Sequence, residues 1–251
     1  MARSSPSKAP PALPKGDEKV RAVRSMFDAI APRYDLVNRI MTFRMDVGWR
    51  RRVVRSLALR RGSVVADLAC GTGDLCVELE SAGLRAVGVD LSFGMLAAAR
   101  TSAPLLQGDA LRLPLRDGSV HGVTCGFALR NLAELPPFLS ELARVVRPGG
   151  RIALLEVATP TNPLLRLGHQ VYFGKVVPVI GGLLSDRAAY QYLPQSVAYL
   201  PEPGRLLEMV GEAGFADVDR RLLSAGIAQL ITAARQGRGA ALAEAGTEGE
   251  A

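Results

Sequence analysis

Three aspartates and a pair of glycines mark where this chain can do chemistry. Asp67 stands four residues before Gly71, and Gly73 follows, in the run Val64-Val65-Ala66-Asp67-Leu68-Ala69-Cys70-Gly71-Thr72-Gly73-Asp74. Apolar residues that run into an acid and then into two close glycines read as a buried strand, a tight turn and the start of a helix. With no Cβ at 71 and 73, backbone can approach a ligand closely. A dinucleotide fingerprint wants a third glycine three residues past the second, and that place holds Cys76. A carboxylate at the strand tip suits a cationic ammonium better than a pyrophosphate. Asp90 lies 17 residues past Gly73, at the end of a second apolar run. An acid there can accept hydrogen bonds from both hydroxyls of a ribose. Asp109, after Gly108, is placed to accept from an adenine amino group. The plainer role for each acid is a helix cap, Asp90 ahead of Leu91-Ser92 above all.

The elements that must position these residues alternate. Strands are expected over 63–68, 85–90, 104–107, 120–126 and 151–157, and helices over 74–82, 93–100 and 135–146. Pro148-Gly149-Gly150 reads as a firm stop to the third helix. A further helix is expected over 203–214, and two more strands over 215–221 and 227–234. This order implies an α/β fold, a mostly parallel sheet with helices on both faces. Ahead of it, residues 17–60 read as a helical cap: an apolar stripe of Val20, Val23, Met26, Phe27 and Ile30, a break at Pro32, and a second helix from about Asp46 to Leu57. Residues 160–200 interrupt the alternation with Leu164, Leu165, Leu167, Val171, Phe173 and Val179 among others. As an insertion at the C-terminal edge of the sheet, they read as a lid over the ligand crevice or, more plainly, as helices packed on each other. The folded domain is thus expected over 17–235. A Ser/Pro/Lys-rich arm over 1–16 and a Gly/Ala/Glu-rich tail over 236–251 are expected to be disordered.

Composition narrows the class. The 251 residues are 48% hydrophobic and carry a net charge of +7. No apolar run is long enough to span a bilayer, and there is no apolar leader core, so a cytoplasmic location is expected. Three cysteines without a CxxC pair fit a reducing compartment, and only two histidines leave little for a metal site. Arg44, Arg50, Arg51, Arg52, Arg55, Arg60 and Arg61 crowd one stretch. They fit attraction to an anionic membrane surface or, equally, a solvated helix face. Nucleic acid is disfavoured, because only Phe43 and Trp49 interleave with the arginines. The oligomeric state, a homodimer included, is left open.

The Asp67-x-x-x-Gly71-x-Gly73 pattern resembles motif I of the class I S-adenosylmethionine (SAM) methyltransferases. SAM has an ammonium, a sulfonium and no phosphate. Three ordered acids favour it over NAD as the cofactor. Arg144 through Ala158, Tyr34-Asp35-Leu36-Val37-Asn38 with Trp49, Phe127-Ala128-Leu129-Arg130-Asn131, and the Tyr190, Tyr192, Leu193 and Ser196 segment are similar to signatures of the quinone-biosynthesis C-methyltransferases. The resemblance covers roughly residues 18 to 234. It implies a Rossmann-like sheet with an antiparallel C-terminal strand, and methylation of a reduced polyprenyl quinone, demethylmenaquinol first, with the quinol as partner. It places SAM contacts on Thr72, Asp90, Asp109 and Ala110, beside the backbone of Gly71 and Gly73. Arg130 and Asn131 are then expected to stabilise a phenolate, with Tyr34 or water passing the proton. Asp46 stands where the family has a histidine, Ala128 and Gly126 replace a glycine and a serine, and Ser224 through Leu230 lack the family's histidine. These departures keep open a different lipophilic or phenolic acceptor. A SAM-binding protein without transferase activity is a further alternative.

Overall fold

Seven strands form from the alternating runs: β1 (Val64–Leu68), β2 (Arg85–Asp90), β3 (Leu105–Gln107), β4 (Val120–Gly126), β5 (Val146–Val157), β6 (Phe215–Leu223) and β7 (Ala228–Arg235). They make one sheet in the order β3-β2-β1-β4-β5-β7-β6. Pairs among β1 to β5 are parallel, and β7 runs antiparallel to both β5 and β6. The computed structural model describes residues 15–184, 189, 192 and 195–237. The expected arm and tail lie outside the described residues, apart from Lys15, Gly16, Gln236 and Gly237.

The period-two alternation fills both faces of the sheet. Ala66, Leu68, Ile152, Leu154 and Ile231 point to one face, onto Phe138, Leu139 and Leu142 of α6 (Leu135–Val145) and Leu206 and Val210 of α9 (Pro203–Glu212). Val65, Ala153, Leu155 and Leu230 point to the other, onto Trp49, Val53 and Leu57 of α3 (Met45–Ser56) and Leu75, Cys76 and Leu79 of α4 (Asp74–Ser81). Neither layer draws on residues 163–184.

A third apolar cluster belongs to the cap. It joins Ile30 of α1 (Gly16–Ile30), Val37 and Met41 of α2 (Tyr34–Met41), Met95 of α5 (Phe93–Ala97) and Val177 of α8 (Val177–Leu184). Helix α2 was not expected. Its buried positions Val37 and Met41 are four apart, while Leu36 and Ile40 face outward. The 160–200 insertion opens with α7 (Pro163–Val171), capped by Asn162, whose side chain accepts from Leu164 N and Leu165 N. A π-helical turn, Tyr172–Val176, carries it into α8.

Two local expectations change. Helix α5 ends at Ala97 rather than near Arg100, because Arg100 N donates to Thr72 O at 3.0 Å and the chain turns back to brace the glycine turn. The Pro148-Gly149-Gly150 stop ends α6 as expected, but its residues belong to β5 as an irregular stretch: Val120 pairs with Val146 and Gly122 with Arg151. Gly149 takes φ +73°, and a Cβ on Gly150 would sit 2.7 Å from His121 O and 2.9 Å from Arg147 O. Backbone cannot yield as a flexible side chain does. Gly150→Ala is therefore expected to destabilise the fold by about 1–3 kcal/mol, read as a lower urea midpoint at unchanged slope.

Candidate active site

The strand order reverses between β1 and β4, and the C-terminal ends of these strands open the crevice that such sheets use for ligands. Two cavities lie there. The smaller, about 100 Å³, is walled by Asp90, Gly108, Asp109, Ala110 and Asn131, with Val20 and Val23 of α1 above. The larger, about 450 Å³, is mostly apolar and reaches Met41, Leu164, Leu165, Tyr172 and Phe173. Phe27, Tyr34, Ala69, Gly71, Gly126 and Phe127 line both. Ala69 (φ +50°) and Phe127 (φ +57°) hold left-handed backbone at this junction, conformations that cost non-glycine residues and gather at working sites.

The acids divide their roles. Asp90 accepts from Gly71 N (2.7 Å) through Oδ2 and from Ser92 N (2.8 Å) through Oδ1. The cap of α5 is Ser92 and not Asp90. An ionised carboxylate has about four lone-pair sites, so Asp90 can still accept from a ligand. Asp109 accepts from Leu111 N at 2.9 Å. Asp67 is buried on the larger cavity. It accepts from Thr124 Oγ1 (2.7 Å), its neighbour in the parallel register, and from Cys76 Sγ (3.6 Å). Burial raises its carboxyl to about 7, against the pull of those two donors. Burial raises Asp90 and Asp74 as well. Thr72 donates to Asp35 of α2. Gly73 fits because a Cβ there would meet Thr101 Cγ2 at 2.7 Å, whereas Gly71 leaves open space on its exposed side.

Arg130 lines the larger cavity but is not free within it. Its guanidinium pairs with the fully buried Glu156, and its Nε donates to Ser196 Oγ at 3.1 Å. Asn131 departs from its expected place. It turns into the smaller cavity, where Nδ2 donates to Phe127 O and Oδ1 is buried with no partner among the described residues. The structure therefore separates Arg130 from Asn131. Tyr34 stands at the junction. Burial raises its phenol, while the Asn38 side chain and the Arg130 charge oppose the rise.

Sequence reasoning missed the residues that fasten α1 over the smaller cavity. Asp28 accepts from Ser92 Oγ and Gly94 N, and the buried Lys19 donates to Leu132 O at 2.6 Å. It also read the arginines as one group. Arg50 is instead drawn inward, 2.8 Å from Asp46 and 3.0 Å from Asp74, and Arg51 pairs with Glu78. An aspartate followed by an arginine four residues on in an expected helix was the signal available for the Asp46–Arg50 pair.

The residues fit SAM. Asn131 Oδ1 is an orphaned buried acceptor in the smaller cavity, Asp90 and Asp109 line the same cavity, and Gly71 leaves open space at the junction. Sheet order and site together define a class I SAM-dependent methyltransferase. Residues 15–235 match the ubiE/COQ5 methyltransferase family, and the chain belongs to it. It is 43% identical to the demethylmenaquinone methyltransferase of Roseiflexus castenholzii, over 90% of this chain and 98% of that protein. It is likewise 43% identical to the ubiquinone/menaquinone biosynthesis C-methyltransferase UbiE of Syntrophotalea carbinolica, over 84% of this chain and 93% of that one. The Haemonchus contortus phosphoethanolamine N-methyltransferase 2 complex with SAM shares the fold at 14% identity and a TM-score of 0.58, over 76% of this chain and 53% of that chain.

The Asp67 shift carries a sign. The unfolded carboxyl ionises near 3.8 and the folded one near 7, so between these values the folded state holds a proton that the unfolded state has lost. This group's contribution is greatest at low pH and declines as pH rises toward 7. Relative to Asp67→Asn, the ligand-free wild type is expected to lose on the order of 2–3 kcal/mol between pH 5 and 7.5, measured by denaturant unfolding of both proteins across that range.

Proposed function

We propose that this enzyme methylates a ring carbon of a reduced polyprenyl quinone, with demethylmenaquinol as the acceptor. The observation that carries this reading is the junction: a smaller cavity edged by Asp90, Asp109 and Asn131 shares Tyr34, Gly71 and Gly126 with a larger, mostly apolar one. The names of the relatives from Roseiflexus and Syntrophotalea support it. Asp90, Asp109, Ala110, Asn131 and the backbone of Gly71 and Gly73 would hold SAM, with Thr72 beside the turn and Asp67 toward the ammonium. Bound there, SAM supplies a methyl carbon made electrophilic by its sulfonium.

The chain's own task is to activate the acceptor. A ring carbon is a weak nucleophile until an adjacent hydroxyl gives up its proton. Arg130 would stabilise the resulting phenolate; its contacts with Glu156 and Ser196, which hold the guanidinium in one place, support this role. The apolar wall excludes water and strengthens that interaction. Tyr34, its phenol held above the ordinary value, keeps its proton at neutral pH and serves as donor or relay. Alignment of ring carbon and methyl at the junction supplies much of the remaining gain.

A different phenolic or lipophilic acceptor is the second reading, and one observation favours keeping it. Asp46, Gly126, Ala225 and Ile227, which fall within or beside the departures from the family pattern, all line the larger cavity.

We place the enzyme in the cytoplasm, touching the membrane that holds its acceptor. Among the described residues no helix is long and apolar enough to cross a bilayer. Phe43 (72% exposed), Leu164 (78%) and Leu167 (60%) instead stand outward around the larger cavity, with Leu36 and Ile40. Phe43 meets the Tyr172 ring at 5.9 Å, and Tyr172 Oη donates to Met41 O, which joins the α2 and α7 sides into one rim. Arg39 and Arg44 flank it in the chain.

Methyl transfer from labelled SAM to demethylmenaquinol, a 2-polyprenyl benzoquinol and a simple phenol tests the acceptor. Label is expected in menaquinol, and label in the simple phenol alone would select the second reading. Arg130→Ala would strand Glu156 and cost about 3–5 kcal/mol of stability. Arg130→Lys is the cleaner probe, with turnover expected to fall at least tenfold while SAM affinity holds. In flotation with anionic liposomes, Phe43→Asp with Leu167→Asp is expected to leave the protein at the bottom of the gradient while the wild type rises.

A further inference from the structure

Removing the acceptor's proton needs a base, and few groups around the larger cavity can be one. Asp46 and Asp74 both lie against Arg50. Asp67 accepts from Thr124 and Cys76. Arg50 and Arg130 are cations, and the Tyr34 phenol keeps its proton. His169 is different. It sits on α7, lines the larger cavity, and its ring packs on Phe173 with centroids 4.4 Å apart. Its Nε2 is buried and has no hydrogen-bond partner among the described residues. An orphaned buried acceptor is costly unless a ligand satisfies it. The other histidine, His121, accepts from Val64 N at the opposite end of β1.

We propose that His169 is the general base of the reaction, its Nε2 taking the proton of the acceptor's ring hydroxyl. This rests on the reading of the acceptor as a hydroquinone or other phenol. The hydroxyl proton passes to Nε2, giving imidazolium and phenolate. The phenolate's charge reaches the neighbouring ring carbon. That carbon forms its bond to the methyl as the bond from methyl to sulfonium sulfur breaks, and the electron pair of the latter stays on sulfur. The ring carbon then loses its own hydrogen as a proton, the oxygen regains one, and aromaticity returns. His169 releases its proton to solvent, so one proton leaves per methyl transferred. Burial holds the His169 imidazole below its ordinary value of 6.5, so it is neutral and able to accept at pH 7. The titratable groups that share its cavity from other elements are Tyr34, Asp46, Arg50, Asp67, Cys70, Asp74, Arg130 and Tyr172.

The test is the pH dependence of kcat at saturating SAM and acceptor, with the limb assigned by its loss in a His169 variant that keeps Asp67. Wild type is expected to show an acid limb below pH 6.5. His169→Gln is expected to lower kcat by about 10²–10⁴-fold, to lose that limb, and to keep the KM for SAM within about twofold. His169→Ala is expected to regain turnover with added imidazole. A kcat within about threefold of wild type with the limb intact would overturn the proposal, as would an equal loss at every pH without imidazole rescue. The comparison is run on whichever acceptor of the panel the wild type methylates, so a wrong choice of quinol leaves the test of His169 standing. A wild type that methylates no phenolic acceptor overturns both.

Discussion

The cofactor edge hangs on one carboxylate. Asp90 ties the Gly71 amide of the β1 turn to the Ser92 amide at the start of α5. Ser92 passes the connection on, since its hydroxyl donates to Asp28, and Asp28 also accepts from Gly94 N. The glycine turn, the tip of β2, the first turn of α5 and helix α1 are thus one hydrogen-bonded unit. The charged form of Asp90 accepts from backbone amides, which favours it, while burial disfavours it and wins. A ligand that adds donors at this carboxylate would shift that balance. The same bonds that shape the smaller cavity therefore also set how firmly α1 closes it, with Lys19 and Leu132 O as the second fastening.

What could be read from the sequence was what is local. Asp67, Gly71 and Gly73 fall within one strand and turn, so their spacing fixes their geometry. The ends of β2 and β4 were legible because a parallel strand buried on both faces reads as a short apolar run bounded by turn residues. The fastening of α1 was not legible. Asp28 meets residues 64 and 66 positions away, and Lys19 meets a carbonyl 113 away. The pairing of Arg130 with Glu156 likewise depends on β4 lying beside β5, where Gly126 pairs with Leu155. The run of arginines misled because charge along a helix says nothing of which side faces the protein. Arg50 points inward to Asp46 and Asp74, while Arg52 and Arg55 point out.

The resemblance at Leu129-Arg130-Asn131 suggested one catalytic pair. A 3-10 turn places these residues about 120° apart in succession, and here it sends Arg130 to one cavity and Asn131 to the other. Adjacent residues thereby serve opposite sides of the junction. Arg130, paired with Glu156, faces the larger cavity. Asn131 offers an unsatisfied carbonyl to the smaller one.

The lid poses a different physical question. Two apolar layers cover the sheet without it, so packing does not require the leucines of α7. Its helix is specified locally by the Asn162 cap and Pro163 at the first position. Its apolar residues at 164, 167 and 171 then recur at helical spacing on the outside, where none is buried. Folding of the two layers thus does not account for the exposure of this apolar face. The same helix turns His169 toward the cavity. With its most exposed leucines against the membrane, the helix would present its other side, Leu165 and His169, to an acceptor entering the cavity from the bilayer.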